Sequence, residues 1–211
     1  MLRTVFALLL MTLPAHAEGE AAGDFDYYVM SLSWTPTWCD LKGDARQSPQ
    51  CQRGRGYGFT LHGLWPQYTD RGYPSYCRTA ARNPSRAMSN AMADIMGTSG
   101  LAWYQWKKHG RCAGLSAQDY YTLARKAYAS IKRPEIFRKL KSDVTLPAAV
   151  IEAAFIEANP TLKRDQITIT CKAHKIQEVR ICLTKDLELE TCGYDVSRDC
   201  GLRDAGMGMI K

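Results

Sequence analysis

The 211-residue chain lacks most features that mark a membrane protein, a repeat protein or a zinc-binding protein. Beyond its first residues it has no apolar stretch near the ~20 residues that a membrane helix needs. It contains no internal repeat, no low-complexity segment and no convincing linker. None of its eight cysteines is spaced C-x-x-C, so the close cysteine pairs of many zinc sites are missing. These absences favour one globular domain that does not span a membrane.

The N-terminus has the pattern of a secretory signal peptide. Arg3 supplies a positive charge, residues 5–11 are apolar, and Ala15-His16-Ala17 is typical of a cleavage site. The apolar run is too short to span a bilayer, although an uncleaved N-terminal anchor is the alternative. We therefore expect a signal peptide at residues 1–17, cleaved near Ala17. Residues 18–211 would then form an exported protein, either periplasmic or extracellular.

The cysteines and the net charge narrow the class of protein further. All eight cysteines follow the expected cleavage site, and an even number in an exported chain indicates four disulfides. Their spacing alone leaves 105 pairings open. The formal net charge of +7 favours polyanionic partners, of which nucleic acid is the commonest, but charge alone is a weak indication.

Hydrophobic patterns predict strands at both ends of the chain and helices between them. The first strand is apolar on both faces, which is typical of a central strand. This order predicts an α+β domain with a mostly antiparallel central sheet packed with helices. The predicted strands are residues 25–34, 57–65 (ended by Pro66), 167–171 and 176–183, and the predicted helices are residues 85–96, 101–109, 116–131 and 147–158.

Two of the three histidines that follow the cleavage site have unusual neighbours. His62 lies in Leu-His-Gly-Leu-Trp-Pro, where we expect a strand to end and the chain to turn. If residues 101–109 are helical, Gln105, Lys108 and His109 share one face. Gly110 would then end the helix in a left-handed conformation.

An amide, a cation and an imidazole on one face, opposed by a second imidazole, suit phosphate chemistry. RNA carries its own nucleophile, the 2′-hydroxyl, so cleavage needs a base, an acid and positive charge near the phosphorus. Imidazole serves as acid or base near neutral pH, and a lysine stabilises the developing negative charge. The alternative is that each histidine is a hydrogen-bonded structural residue. For His174, which has no such neighbours, we expect a surface or structural role.

Three segments, taken together, resemble the ribonuclease T2 family. They are Phe-Asp-Tyr-Tyr-Val-Met-Ser-Leu-Ser-Trp-Thr-Pro at residues 25–36, Thr-Leu-His-Gly-Leu-Trp-Pro at residues 60–66 and Trp-Lys-Lys-His-Gly-Arg-Cys at residues 106–112. The resemblance covers nearly the whole chain after the cleavage site. It implies a metal-independent and cofactor-independent endoribonuclease. Such an enzyme cleaves single-stranded RNA through a 2′,3′-cyclic phosphate to 3′-phosphate ends and does not cleave DNA. We also expect a monomer.

The resemblance also implies residue roles and a disulfide pairing. His62 would be the general acid and His109 the base, with the two roles exchanged when the cyclic phosphate is hydrolysed. Lys108 would stabilise the pentacovalent phosphate. Trp65 and Tyr73 would flank the base 5′ to the cut. The implied disulfides are Cys39–Cys51, Cys77–Cys112, Cys171–Cys200 and Cys182–Cys192.

Three positions depart from the usual pattern of that family. Gln105 replaces the usual glutamate, so it keeps hydrogen-bonding ability but cannot accept a proton. Tyr104, which we also expect near the substrate, replaces a frequent histidine. Gln67 lies where some relatives have an acidic base-reading residue, which leaves base preference open. A T2-fold binding or signalling protein with weak or no catalysis is the alternative, and Gln105 is the only feature that favours it.

Overall fold

The computed structural model describes residues 20–211, so the expected signal peptide lies outside the described residues. Six strands form one sheet in the order β2-β1-β5-β6-β3, with β4 paired to β5. All pairings are antiparallel except the short β5–β6 contact. This confirms the predicted α+β fold. The strands are β1 (Tyr27–Trp34), β2 (Phe59–Gln67), β3 (Val144–Leu146), β4 (Ile167–Lys172), β5 (Lys175–Leu183) and β6 (Ala205–Met207).

Six α-helices accompany the sheet in the described chain, and none of them is long and apolar enough to cross a bilayer. The helix predicted over residues 85–96 is instead two helices that meet at Met92. Arg125 binds the Ala91 carbonyl at 2.6 Å, which occupies an acceptor that a continuous helix would use. The helices are α1 (Thr35–Trp38), α2 (Arg86–Ala91), α3 (Ala93–Met96), α4 (Ser99–Lys108), α5 (Ala117–Ser130) and α6 (Ala148–Ala158).

Strand β1 divides the interior into two unequal parts. Tyr28, Met30 and Leu32 belong to the main core, which also contains residues of α4, α5 and α6. The alternate residues Tyr27 and Val29 belong to a smaller cluster on the opposite face of the sheet. Because both faces of β1 are covered, the prediction of a central strand is confirmed.

Two predictions about β2 are wrong. The strand does not end before Pro66 but continues to Gln67. Pro66 is tolerated within the strand because β2 lies at the sheet edge, where the missing N–H of proline removes no hydrogen bond from the ladder. Nor is His62 at a strand end. Ser31 pairs with Gly63 and Leu32 with Leu61, so His62 is the extra residue of a β-bulge. Such bulges redirect a side chain locally.

Helix α4 ends differently from the prediction. Its last residue is Lys108, and the chain continues through His109 into a 3₁₀ turn, Gly110–Ala113. The left-handed residue is Gly114, with φ of 74°, and not Gly110. Gly110 is required for another reason: a Cβ there would lie 2.6 Å from the Tyr120 ring and 2.8 Å from the Trp106 ring. The glycine therefore permits α5 to pack against the end of α4.

The four disulfides pair as the family resemblance implied, and the described chain has no free cysteine. Cys77–Cys112 joins the loop after β2 to the 3₁₀ turn after α4. The backbone N–H of Tyr76 also donates to the Lys108 carbonyl at 2.8 Å. These links hold the loop that contains Tyr73 against the C-terminal end of α4.

Replacing Gly110 by alanine should destabilise the protein, because the new methyl group overlaps two buried aromatic rings. We expect Gly110→Ala to lower the free energy of unfolding by about 1–3 kcal/mol. Gly100→Ala is the matched control, since this exposed position in α4 has no atom within 4 Å of the added Cβ. It should be neutral or stabilise by up to ~1 kcal/mol. Urea unfolding measures both, and equal effects would contradict the packing explanation.

Candidate active site

All eight residues predicted at the functional site line one pocket of about 440 Å³. β2 supplies residues from one side and α4 supplies residues from the other. Because the pocket brings Gln105, Lys108 and His109 together, their predicted common face is confirmed. The predicted residues are His62, Trp65, Gln67, Tyr73, Tyr104, Gln105, Lys108 and His109.

His109 lies at the buried side of the pocket. Only 5% of its surface is exposed, and its Nδ1 has no hydrogen-bond partner among the described residues. The ring lies 5.3 Å from the Trp65 ring and 5.5 Å from the Tyr73 ring, measured between centroids. Burial, then the charges of Lys108 and His62, lower the pKa of His109 from 6.5 to about 3. His109 is therefore neutral in the free protein and can accept a proton.

His62 has a different environment, with about a third of its side chain exposed. Its Nδ1 lies 2.6 Å from Oε1 of Glu178, which is buried on β5. The other carboxylate oxygen of Glu178 accepts bonds of 2.8 and 3.1 Å from Arg180. Burial alone would raise the pKa of Glu178, but the hydrogen bond and charge of His62 and the contact with Arg180 lower it to about 2. Glu178 is therefore ionised.

Trp65 connects the two histidines. The His62 ring meets it edge-on at 5.2 Å, and the Arg180 guanidinium lies 5.5 Å from its centroid. Its Nε1–H donates to Oε1 of Gln105 at 2.7 Å. A Cβ at Gly63 would lie 2.3 Å from that indole nitrogen and 2.4 Å from that amide oxygen. Glycine is therefore needed where this hydrogen bond crosses β2.

The remaining predicted residues form the outer wall. Lys108 Nζ donates to the Tyr73 hydroxyl at 3.4 Å and lies 5.2 Å from the ring centroid. Tyr104 is exposed, and its hydroxyl lies 3.4 Å from that of Tyr76. Gln67 is buried and donates from Nε2 to the Gly72 carbonyl at 3.0 Å. Its amide therefore holds the loop after β2 while the residue lines the pocket.

Sequence reasoning missed Glu178 and Arg180. Both belong to a strand whose alternation with Val179 and Ile181 was recognised, yet the polar positions received no role. The available signal was Cys182, which lies two residues after Arg180 and therefore shares one face of the strand with Glu178 and Arg180. A disulfide cysteine on that face indicates that it is covered by protein. His174, in contrast, is exposed at the β4–β5 turn with φ of 57°, and it lines no part of the pocket.

Within residues 20–211, one group of side chains has the donor types and proximity of potential metal ligands. It comprises Cys39, Asp44 and Cys51, none of which lines the pocket. Its two sulfur atoms are bonded to each other, so they are not thiolates. This donor set therefore does not suit a metal ion.

Comparisons with known proteins identify the family of this chain. The sequence profile described as "Ribonuclease T2 family" matches residues 25–192, and the chain therefore belongs to that family. It is 48% identical over 108 residues to "Ribonuclease" of Aeromonas hydrophila, covering 51% of this chain and 46% of the relative. It is 31% identical over 140 residues to "Probable ribonuclease" of Haemophilus influenzae, covering 61% and 50%. These alignments span about half the length of each relative.

Solved structures show the same fold. An "RNase-related protein from Calystegia sepium" superposes with a TM-score of 0.69 at 20% identity, covering 89% of this chain and 98% of that one. Japanese pear S3-RNase superposes with a TM-score of 0.64 at 18% identity, covering 86% and 100%. At these identities the similarity shows the fold alone. It supports the α+β assignment independently of the sequence profile.

The low pKa of His109 leads to a prediction about Lys108. Lys108→Gln should raise the His109 pKa, because it removes the nearby positive charge, yet the value should stay below 6.5 because burial is the larger cause. Lys107→Gln is the control, since Lys107 is exposed and lies over the Trp103 ring. NMR titration of the histidine ring protons measures the values. Titration of wild-type His109 near 6.5, or equal shifts in both variants, would contradict this electrostatic account.

Proposed function

We propose that the protein is a metal-independent and cofactor-independent endoribonuclease that cleaves single-stranded RNA by acid–base catalysis. The observation that carries this proposal is the difference between the two histidines. His109 is buried and neutral, as a base must be, whereas His62 is partly exposed and hydrogen-bonded through Nδ1 to an ionised carboxylate. Two groups whose environments differ in this way divide the acid and base roles between them.

In the first step, His109 removes the proton of the 2′-hydroxyl, and the 2′-oxygen forms a bond to phosphorus. The bond from phosphorus to the 5′-oxygen breaks, and His62 protonates that leaving oxygen. The products are a 2′,3′-cyclic phosphate and a free 5′-hydroxyl. Because His109 is a weak base in the free protein, the anionic phosphate assists by favouring its protonated form.

In the second step, water opens the cyclic phosphate and the histidines exchange roles. His62 takes the proton of the water, and His109 returns its proton to the 2′-oxygen. A 3′-phosphate end results. Lys108, which lies beside Tyr73, stabilises the negative charge of the pentacovalent phosphate in both steps. Trp65 and Tyr73 offer aromatic surfaces to the base 5′ to the cut, and Tyr104 and Gln67 complete the wall.

We further propose that the protein is exported and acts as a monomer in the periplasm or outside the cell. Four disulfides support an oxidising compartment. The expected signal peptide at residues 1–17 agrees with this location. Immunoblotting of the periplasm and culture medium, with N-terminal sequencing of the exported form, tests the location and the cleavage near Ala17.

Polymeric single-stranded RNA should be degraded in the presence of EDTA, and DNA of the same sequence should not be, because DNA lacks the attacking 2′-hydroxyl. His62→Ala and His109→Ala should each lower kcat at least ~10²-fold. His174→Ala, at an exposed turn, is the control and should match the wild type. Inactivation by EDTA, comparable DNA cleavage or a fully active His109→Ala would contradict the mechanism. Specific RNA binding without cleavage would favour the binding-protein alternative.

Gln105→Glu should move the acidic limb of the pH–rate profile to higher pH. A carboxylate one helical turn before His109 opposes the lowering of the His109 pKa, so the base becomes protonated at higher pH. The maximal rate should change by no more than about tenfold, or ~1.4 kcal/mol of barrier. The test is to measure kcat/KM against pH for the wild type and for Gln105→Glu. Gln118→Glu, on the exposed surface of α5, is the control. An unchanged profile would mean that side chain 105 is not coupled to the histidines.

A further inference from the structure

We infer that Glu178 is the positioning residue of His62: it holds the Nδ1–H and thereby assigns proton transfer to Nε2. This inference rests on the proposed function, in which His62 donates a proton to the leaving oxygen. With Nδ1 bound to Glu178 at 2.6 Å, the same nitrogen carries hydrogen in both the neutral and the charged imidazole. Proton gain and loss then occur only at the other ring nitrogen.

The surroundings of Glu178 suit this role. The side chain is 2% exposed, so water does not compete for its oxygens. One carboxylate oxygen accepts from His62 and the other from Arg180, so both are used. Arg180 adds a positive charge that keeps the carboxylate ionised in this buried position. The Glu178 carboxylate, fixed in place by Arg180, therefore presents His62 with a negative charge.

The strand that carries Glu178 is held on both sides. Glu178 pairs with Ser33 of β1 and with Thr170 of β4, so its backbone is inside the sheet. Helix α4 contains no aspartate or glutamate, and Gln105 is among the residues that it contributes to the pocket lining. Asp195, which also lines the pocket, accepts from the Gly72 backbone N–H at 2.5 Å and so holds a loop. Within the described chain, Glu178 is thus the carboxylate that contacts a catalytic histidine.

The substitution Glu178→Gln is informative because an amide has only one acceptor oxygen. It can bind the His62 Nδ1–H or the Arg180 guanidinium, but not both, and its NH₂ group then faces the other donor. The negative charge beside His62 is lost in either orientation of the amide, and the Nδ1–H also loses its acceptor when the NH₂ group faces His62. Glu178→Asp keeps the charge on a shorter side chain and should recover part of the activity. Glu152→Gln is the matched control, since Glu152 is a buried glutamate of α6 outside the pocket.

The experiment compares two substrates that differ in their need for an acid. In a dinucleoside phosphate the leaving group is the 5′-oxygen of the second nucleoside, which must be protonated as it leaves. In a nucleoside 3′-(4-nitrophenyl phosphate) the leaving group is 4-nitrophenolate, which is stable without a proton. On the dinucleotide, Glu178→Gln should lower kcat at least ~10-fold with little change in KM, since a misoriented acid acts on the transition state. On the aryl ester it should stay within about threefold of the wild type. Glu152→Gln should be unaffected on both.

The outcomes separate this inference from the proposed function. If Glu178→Gln lost activity equally on both substrates, the inference would be overturned, because Glu178 would then have a structural role. Full activity on both substrates would overturn the inference as well. His62→Ala should show the same substrate dependence as Glu178→Gln, whereas His109→Ala should lose activity on both. A fully active His62→Ala would instead contradict the proposed function.

A spectroscopic measurement tests the contact without relying on activity. The wild type should show a downfield-shifted Nδ1 proton resonance from His62, because this proton is shared with a carboxylate at short distance. The resonance should be lost or move upfield in Glu178→Gln and be unchanged in Glu152→Gln. Its absence from the wild type, or its persistence in Glu178→Gln, would overturn the inference.

Discussion

The pairing of β1 with both of its neighbours is the constraint on which the site depends. β2 and β5 lie on opposite sides of β1, so their backbones are about 10 Å apart. His62 and Glu178 nevertheless meet, because the residues of β1 between them are small. Ser31 lies between Gly63 and Arg180, and Ser33 pairs with Glu178. A larger side chain at either serine would stand between the histidine and its carboxylate.

The sequence was sufficient for the approximate positions of the four longer strands and the three longer helices and for the residues carried by local motifs, but not for the short elements β3, β6 and α1. His62, Lys108 and His109 could be predicted because each lies in a short segment with distinctive neighbours. Glu178 could not be, since it lies 116 residues from His62 and their contact depends on the order of the strands. Periodicity indicates that a strand has a polar face but not what that face contacts. For the same reason the alternation predicts the strand β5 but not the contacts of Glu178 and Arg180.

Local irregularities were the other limit. Hydrophobic alternation assumes a regular strand, so it does not predict the bulge at His62. The glycine that follows, Gly63, is the local sign of an irregularity there. Gly110 was interpreted by its backbone freedom, whereas its actual requirement is space for the ring of Tyr120. Pro66 predicts a strand end, but β2 lies at the sheet edge, where a proline is accommodated within the strand. In each case a tertiary neighbour decided the conformation of a residue whose sequence signal was ambiguous.

The irregular form of β2 also bears on how the molecule behaves at high concentration. An edge strand with an unbroken row of N–H and C=O groups can recruit the same strand of another molecule and start aggregation. Here the bulge at His62 interrupts that row in the middle, and Pro66 removes a donor near its end. The distortion that places a histidine in the pocket therefore also makes the edge a poor template for self-association. A change that regularised β2 would affect colloidal stability together with the position of that side chain.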